Sequence, residues 1–213
     1  MRKILLISDE RTPEDPGRIA DSESYGIAPC NLPNLKSVIQ TVGGCTVKQI
    51  HHTQLAELED YAPDGLVLSG RFTAWDNDGI DEEYGDLLAL LRETELPTLG
   101  ICAGLQLIAR AYGAKIAPMA DTSGEHGFTA QSIERMHPLL HGLEDGFSCM
   151  ELHCDEVQYV PDGFDLLVST PRCKVQMLAH RKRPMFGTQF HSELLSRDVQ
   201  GGRRLLENFF ALY

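Results

Sequence analysis

The chain has 213 residues, of which 42% are hydrophobic and 23% charged, and it carries a net charge of −12. This is the composition of an average folded domain, which excludes collagen-like, coiled-coil and disordered chains; the length suits one large α/β domain able to bury about 70% of the surface its unfolded form exposes. The acidic excess opposes binding to a phosphate backbone through a broad basic face, so no nucleic-acid partner is expected.

Met1-Arg2-Lys3 passes directly into Ile4-Leu5-Leu6-Ile7 and then Ser8-Asp9-Glu10. That apolar run is too short for a signal peptide, and no stretch approaches a membrane span. Short apolar runs at 3–7, 46–50, 65–68 and 98–101 alternate with helix-period segments, the pattern of parallel strands joined by crossover helices. Residues 8–33 read as a long loop, functional or mobile, holding Pro13, Pro16, Gly17, Gly26 and Pro29. A helix over 34–42 is predicted from Leu35, Val38, Ile39 and Val42 before Gly43-Gly44, and a second over 81–92 from Tyr84, Leu87, Leu88 and Leu91 before Pro97. From about Phe128 the runs shorten and turn residues multiply, as in Val157-Gln158-Tyr159-Val160 before Pro161-Asp162-Gly163; this half reads as antiparallel additions to the sheet. A closing helix over 203–213 should place Leu205, Leu206, Phe209 and Phe210 in the core. The expectation is a single α/β domain over residues 1–213, with a mostly parallel central sheet flanked by helices and an antiparallel extension in the second half.

The six cysteines, Cys30, Cys45, Cys102, Cys149, Cys154 and Cys173, show no Cys-x-x-Cys spacing, which fits a reducing cytoplasm. Cys102 lies in Gly100-Ile101-Cys102-Ala103-Gly104, between an apolar strand and a helix with Leu105, Ile108, Ala109 and Tyr112 at apolar positions. Flanking glycines permit the sharp strand-to-helix turn of a nucleophile elbow, and a thiol at a helix N-terminus is favoured as thiolate. The competing reading is a buried cysteine with incidental glycines. A cysteine nucleophile needs a base, and the base needs a group to orient it. Met185-Phe186-Gly187-Thr188-Gln189-Phe190-His191-Ser192-Glu193 reads as a strand ending in His-x-Glu, with both side chains on one face, so that Glu193 fixes the tautomer of His191. Alone, that pair would read as exposed residues at a strand end.

Gly100-Ile101-Cys102-Ala103-Gly104-Leu105-Gln106 and Gly187-Thr188-Gln189-Phe190-His191-Ser192-Glu193 resemble, in order and separation, the motifs of the class I, triad-type glutamine amidotransferases. Between them Met150-Glu151-Leu152-His153-Cys154-Asp155-Glu156-Val157 resembles the family's Ser-His-x-Asp-x-Val segment, and Pro161-Asp162-Gly163-Phe164 follows as in GMP synthase amidotransferase domains. The resemblance covers roughly residues 60 to 213 and is weak before that. It implies a flavodoxin-like fold and the hydrolysis of L-glutamine without a cofactor. Cys102 would form a glutamyl thioester, His191 would shuttle the proton to departing ammonia, and Glu193 would orient His191. The Ala103 amide would meet the oxyanion, with a second amide from the loop Leu68-Ser69-Gly70-Arg71-Phe72-Thr73. Ser69 and Gly70 match the family's Ser-Gly-Gly-Pro pattern; Arg71 and Phe72 depart from it, and Arg71 restricts backbone conformations open to glycine. Gln106 would line the pocket, and backbone around His153, Cys154 and Asp155 would hold the substrate's α-carboxylate and α-amine.

No phosphate-binding Gly-x-x-x-x-Gly-Lys-Ser/Thr loop is present, so the acceptor chemistry is expected on a separate synthase polypeptide. Two alternatives stand beside this reading: a γ-glutamyl hydrolase acting on other γ-glutamyl amides, and a catalytically weak glutamine-binding or scaffolding protein. A metal site built on His153 and Cys154 with His180 or Cys149 is not expected, because no spaced ligand pair appears. The segment Ala74-Trp75-Asp76-Asn77-Asp78-Gly79 reads equally as a lid or partner contact and as a plain surface loop. His51, His52, His126, His137 and His141 read as solvated or capping side chains, and Arg181-Lys182-Arg183 as a solvated hairpin tip.

Overall fold

The computed structural model describes residues 1–12, 30–71, 73, 75, 79–121, 123–196 and 198–213; most of the 8–33 loop lies outside these. In chain order, β1 (Lys3–Ser8) is followed by α1 (Leu32–Gly43), β2 (Thr46–His51), the short α2 (Glu57–Tyr61) and β3 (Gly65–Leu68). Then come α3 (Ile80–Glu83), α4 (Gly85–Glu93), β4 (Thr98–Ile101) and α5 (Ala103–Ala111). The second half contains β5 (Ile116–Pro118), β6 (Glu125–Ala130), β7 (Ser132–Ile133), β8 (Ser148–His153) and β9 (Asp155–Val157). It closes with β10 (Phe164–Ser169), β11 (Met177–His180), β12 (Met185–Thr188) and α6 (Gly201–Leu212).

The central sheet runs β2-β1-β3-β4-β12-β11-β10-β7. Strands β2, β1, β3, β4 and β12 pair in parallel, whereas β11, β10 and β7 extend the sheet antiparallel. This is the single α/β domain expected, and helices on both faces explain why β3 and β4 are buried throughout. Side chains alternate between two cores: Ile4, Leu6, Val67 and Leu99 face one side with α1 and α6, while Leu5, Ile7, Leu66 and Leu68 face the other with α4 and α5.

Helix α1 begins earlier than its apolar period suggests because Asn31 caps it, accepting a 2.9 Å bond from the Asn34 amide, with Pro33 in the first turn. It stops at Gly44, whose φ of 57° is left-handed. On α6, Leu205, Leu206, Phe209 and Phe210 are all buried, as expected. The Phe210 ring lies over Gly43, where a Cβ would come within 3.0 Å of it. Among the described residues no helix is long and apolar enough to cross a membrane.

Three expectations are corrected. The 81–92 segment is two helices, interrupted at Tyr84 (φ −111°, ψ 12°), whose fully buried ring is anchored by its hydroxyl donating to the Asp9 carbonyl at 2.7 Å. Residues 157–160 do not form a strand added to the sheet. The strand there ends at Val157 and pairs with β5 in a separate two-stranded ribbon, and β6 and β8 form a second ribbon. Finally, the run after Met185 leaves the strand at Thr188, before the His-x-Glu pair.

Candidate active site

Cys102 sits between β4 and α5 with φ 52° and ψ −105°, a left-handed conformation that a non-glycine residue adopts only under constraint. The constraint is packing. Its amide donates to the Thr188 carbonyl at 2.7 Å, and the Gly104 amide donates to the Ser69 carbonyl at 3.1 Å. A Cβ on Gly100 would fall 2.4 Å from the Gly104 backbone, and one on Gly104 would fall 2.7 Å from the Leu68 Cβ. Helix α5 therefore starts in direct backbone contact with β3 and β4, which is what the flanking glycines are for. Cys102 immediately precedes the first turn of α5.

His191 and Glu193 meet, but not as strand neighbours. Beyond Thr188 the chain crosses to β8, where the His191 amide donates to the Met150 carbonyl at 2.8 Å in an isolated bridge. It then turns, with the Leu194 amide bonding back to the His191 carbonyl at 3.2 Å. The turn brings the His191 Nδ1 to 2.8 Å from a Glu193 carboxylate oxygen, both side chains being buried. Burial alone would depress the His191 pKa, but the neighbouring Cys30, Glu193 and Cys102 together hold it well above the usual imidazole range.

Gly70 packs between these groups. A Cβ there would lie 2.9 Å from the His191 Cε1 and 3.6 Å from the Cys102 Cβ. The Ser69 amide joins this loop to β1 through the Ile7 carbonyl at 3.0 Å. The side chain of Arg71 is almost fully buried: Nε donates to the Thr73 carbonyl at 2.9 Å, and the guanidinium bonds the Tyr84 hydroxyl and pairs with Glu83 at 3.4 Å. It also covers the Trp75 ring at 4.5 Å from the centroid. Phe72, the other departure from the family pattern, lies outside the described residues.

A cavity of about 300 Å³ opens above Cys102. Ala103 and Gln106 line it from α5, Arg71 and Trp75 from the loop after β3, and His153, Cys154 and Asp155 from the β8–β9 junction. The Gln106 carboxamide ties the walls together, donating to the Asp155 carbonyl at 2.9 Å and the Gln189 side-chain oxygen at 3.0 Å while accepting from the Trp75 indole at 2.6 Å. Gln189 in turn donates toward the Cys102 sulfur at 3.5 Å. Trp75 is thus a pocket wall rather than a plain surface residue. The sequence reading passed over Gln189, although it lies within the His-x-Glu motif.

The His153 side chain faces away from bulk water, with Nε2 3.2 Å from both Glu125 and Glu151 and Nδ1 3.0 Å from the Asp155 carbonyl. Burial opposes its charge, but hydrogen bonds to the two carboxylates dominate and push its pKa up to about 10. Cys154 is exposed, its sulfur 4.0 Å from the His126 Nε2. Burial raises the Asp155 carboxyl pKa. Of the remaining histidines, His51 and His137 cap short 3₁₀ turns as expected, whereas His52 is buried against Tyr84 and its pKa falls to about 4. His180 packs on Tyr112 and Phe164, not with His153. Sequence reading also missed Cys30, whose buried sulfur lies 3.5 Å from the His191 Nδ1 and 3.9 Å from Glu193. No local motif announces it, since more than 160 residues separate it from its neighbours.

A doubly wound sheet bearing a cysteine on a strained strand-to-helix turn, with a buried imidazole–carboxylate pair beside it, is the architecture of an α/β enzyme. The model of the family Glutamine amidotransferase class-I matches residues 31–212. The glutamine-hydrolysing GMP synthase subunit of Methanothermobacter thermautotrophicus is 33% identical over 160 residues, covering 74% of this chain and 79% of that protein. Its counterpart from Thermoplasma acidophilum is 36% identical over 152 residues, 70% of this chain and 72% of that protein. A solved structure from Thermoplasma acidophilum, described as a GMP synthase subunit, superposes with a TM-score of 0.77 at 29% identity, over 100% of this chain and 94% of that one. A glutamine amidotransferase from Thermotoga maritima shares the fold, with a TM-score of 0.68 at 19% identity over 91% of this chain and 76% of that one. The chain belongs to the class I glutamine amidotransferase family and, within it, is of the GMP synthase type; it is a glutamine-hydrolysing enzyme.

Proposed function

We propose that residues 1–213 form one amidotransferase domain that hydrolyses the side-chain amide of L-glutamine through Cys102, His191 and Glu193, in the cytoplasm, and passes the ammonia to a synthase on a separate polypeptide. The observation that carries this reading is the position of His191, bonded to Glu193 at 2.8 Å and packed together with Cys102, on its strained turn, against Gly70. Cys102 as thiolate attacks the amide carbon, and the carbonyl oxygen becomes an oxyanion received by the Ala103 amide and by an amide of the Gly70–Arg71 loop. His191 gives its proton to the departing nitrogen, leaving a glutamyl thioester. It then takes a proton from water, which attacks the thioester and releases glutamate and the free cysteine. Glu193 holds the imidazole in orientation and stabilises its charged form. Gln106 and the backbone of His153, Cys154 and Asp155 line the pocket for the amino-acid end of the substrate.

The Arg71 side chain is anchored on Trp75, Tyr84 and Glu83. This supports a loop held in place rather than an oxyanion hole dismantled by the departure from glycine. The relatives named above are glutamine-hydrolysing subunits of GMP synthase, and that supports an acceptor on another chain. The test is release of ammonia and glutamate from L-glutamine by the purified chain, with Cys102→Ala as control. Cysteine-dependent release is expected. Hydrolysis of other γ-glutamyl amides with glutamine inert would instead establish the γ-glutamyl hydrolase, and binding without turnover would establish the scaffolding protein.

A further inference from the structure

Cys30 carries out no step of the mechanism above, yet its sulfur completes a compact trio with the His191 Nδ1 and a Glu193 carboxylate oxygen. The three separations are 3.5 Å from sulfur to nitrogen, 3.9 Å from sulfur to oxygen and 2.8 Å from nitrogen to oxygen. Zinc bonds of about 2.3 Å to sulfur and about 2.0–2.1 Å to nitrogen and oxygen, set tetrahedrally, require ligand separations of about 3.3–3.6 Å. Bringing the trio to that geometry requires shifts of about half an ångström or less, with the nitrogen–oxygen pair opening as a metal replaces the hydrogen-bonded proton. All three side chains are buried, and a narrow cleft lined by Glu10, Ser69 and Gly70 borders Cys30 and Glu193.

We infer that Cys30, His191 and Glu193 form an inhibitory site for a borderline-soft divalent cation of the zinc class. The donor set, one thiolate, one imidazole and one carboxylate, matches that chemistry, with water as the fourth ligand. On binding, the Cys30 thiol and the His191 Nδ1 each release a proton to solvent, and the ring keeps its remaining proton on Nε2. The ring is then no longer an imidazolium beside the Cys102 thiolate, its Nε2 proton is harder to give to the departing nitrogen, and the metal takes the Nδ1 position through which Glu193 supports the ring. The effect on turnover rests on the assignment of His191 made above; the binding itself does not.

The test separates the two. In protein carrying Cys102→Ala and Cys154→Ala, which removes the nucleophile and the exposed thiol, cobalt(II) should bind one to one, with tetrahedral d–d bands and a thiolate-to-cobalt charge-transfer band. Adding Cys30→Ser, or Cys30→Ala if serine prevents folding, should abolish both. The Cys30→Ser substitution, introduced into otherwise unmodified protein, is scored for zinc inhibition against its own metal-free rate of glutamine hydrolysis. It should raise the zinc concentration for half-inhibition by roughly tenfold or more, since loss of a direct ligand costs at least as much as loss of an outer-shell partner. Inhibition of the unmodified enzyme should reverse with a chelator. The inference is overturned if the cobalt bands are absent, survive Cys30→Ser, or if zinc inhibits both proteins equally. Cobalt binding through Cys30 in a chain with no cysteine-dependent glutaminase would overturn the assigned role of His191 and leave the site standing.

Discussion

The Arg71 guanidinium lies over the indole of Trp75, 4.5 Å from the ring centroid, and the indole N–H donates to Gln106 in the wall of the substrate cavity. The residue that departs from the family's oxyanion loop is thereby wired into the pocket through a cation–π contact. Arg71→Ala removes that contact and the ion pair with Glu83 from a buried position. It should destabilise the fold by about 2 kcal/mol and loosen Trp75 from Gln106. Arg71→Lys should recover little, because an ammonium cannot stack and fork at once. Denaturant unfolding checks the first expectation, and a rise in KM exceeding any fall in kcat checks the second.

Gly70→Ala is a sharper probe of the same loop. The new methyl would sit 2.9 Å from the His191 Cε1, so the ring must shift relative to Cys102. A displacement of that size at the reacting groups should lower kcat by roughly 100-fold. The fold should survive, since the methyl meets a side chain rather than backbone. Unchanged kcat in a folded variant would show that the loop does not pack on the working form of His191.

Much of this was legible in the sequence, for identifiable reasons. Strands β1, β3 and β4 read clearly because parallel strands buried on both faces are continuous apolar runs, and the elbow read clearly because backbone contact demands glycine at Gly100 and Gly104. The pairing of His191 with Glu193 was legible but its geometry was not. Period-two alternation implied a strand, whereas a turn anchored to Met150 makes the contact. The break at Tyr84 was hidden because its cause, a hydroxyl bond to the Asp9 carbonyl, spans 75 residues. Cys30 and the Glu125–His153–Glu151 cluster were hidden for the same reason: tertiary convergence leaves no local period.

Substitutions in the proposed triad should separate by role. Cys102→Ala should abolish turnover with little loss of stability, as alanine removes only the sulfur from an already constrained turn. His191→Ala should be nearly as severe. Glu193→Gln preserves shape while losing the charge that supports the imidazolium, and should lower kcat by roughly 100- to 10,000-fold. Steady-state ammonia release measures all three; equal and negligible effects would refute the roles assigned to them.

The buried cluster behind the cavity predicts a pH dependence of stability. The pKa of His153 is raised from an ordinary 6.5 to about 10 by the carboxylates of Glu125 and Glu151. A group whose folded pKa is raised stabilises fully below its unfolded pKa, and that contribution is lost as pH rises through the folded value. His153 therefore favours the fold below about 6.5 and progressively less toward about 10. The Glu125 pKa moves the other way: burial opposes ionisation, but hydrogen bonds from His153 and Thr170 prevail and lower it. Its contribution is present above the ordinary carboxylate value and is lost in acid. The pair thus stabilises most in mildly acidic solution, where the imidazolium and the carboxylate are both charged. Urea midpoints measured from pH 5 to 10 should fall above neutrality in the unmodified chain and fall less in His153→Gln, whose side chain cannot carry the charge. The two curves should be furthest apart near pH 6, by a few kcal/mol at most once screening and relaxation are allowed for. Parallel curves across that range would mean that His153 is neutral in the fold, and that the two carboxylates share a proton instead.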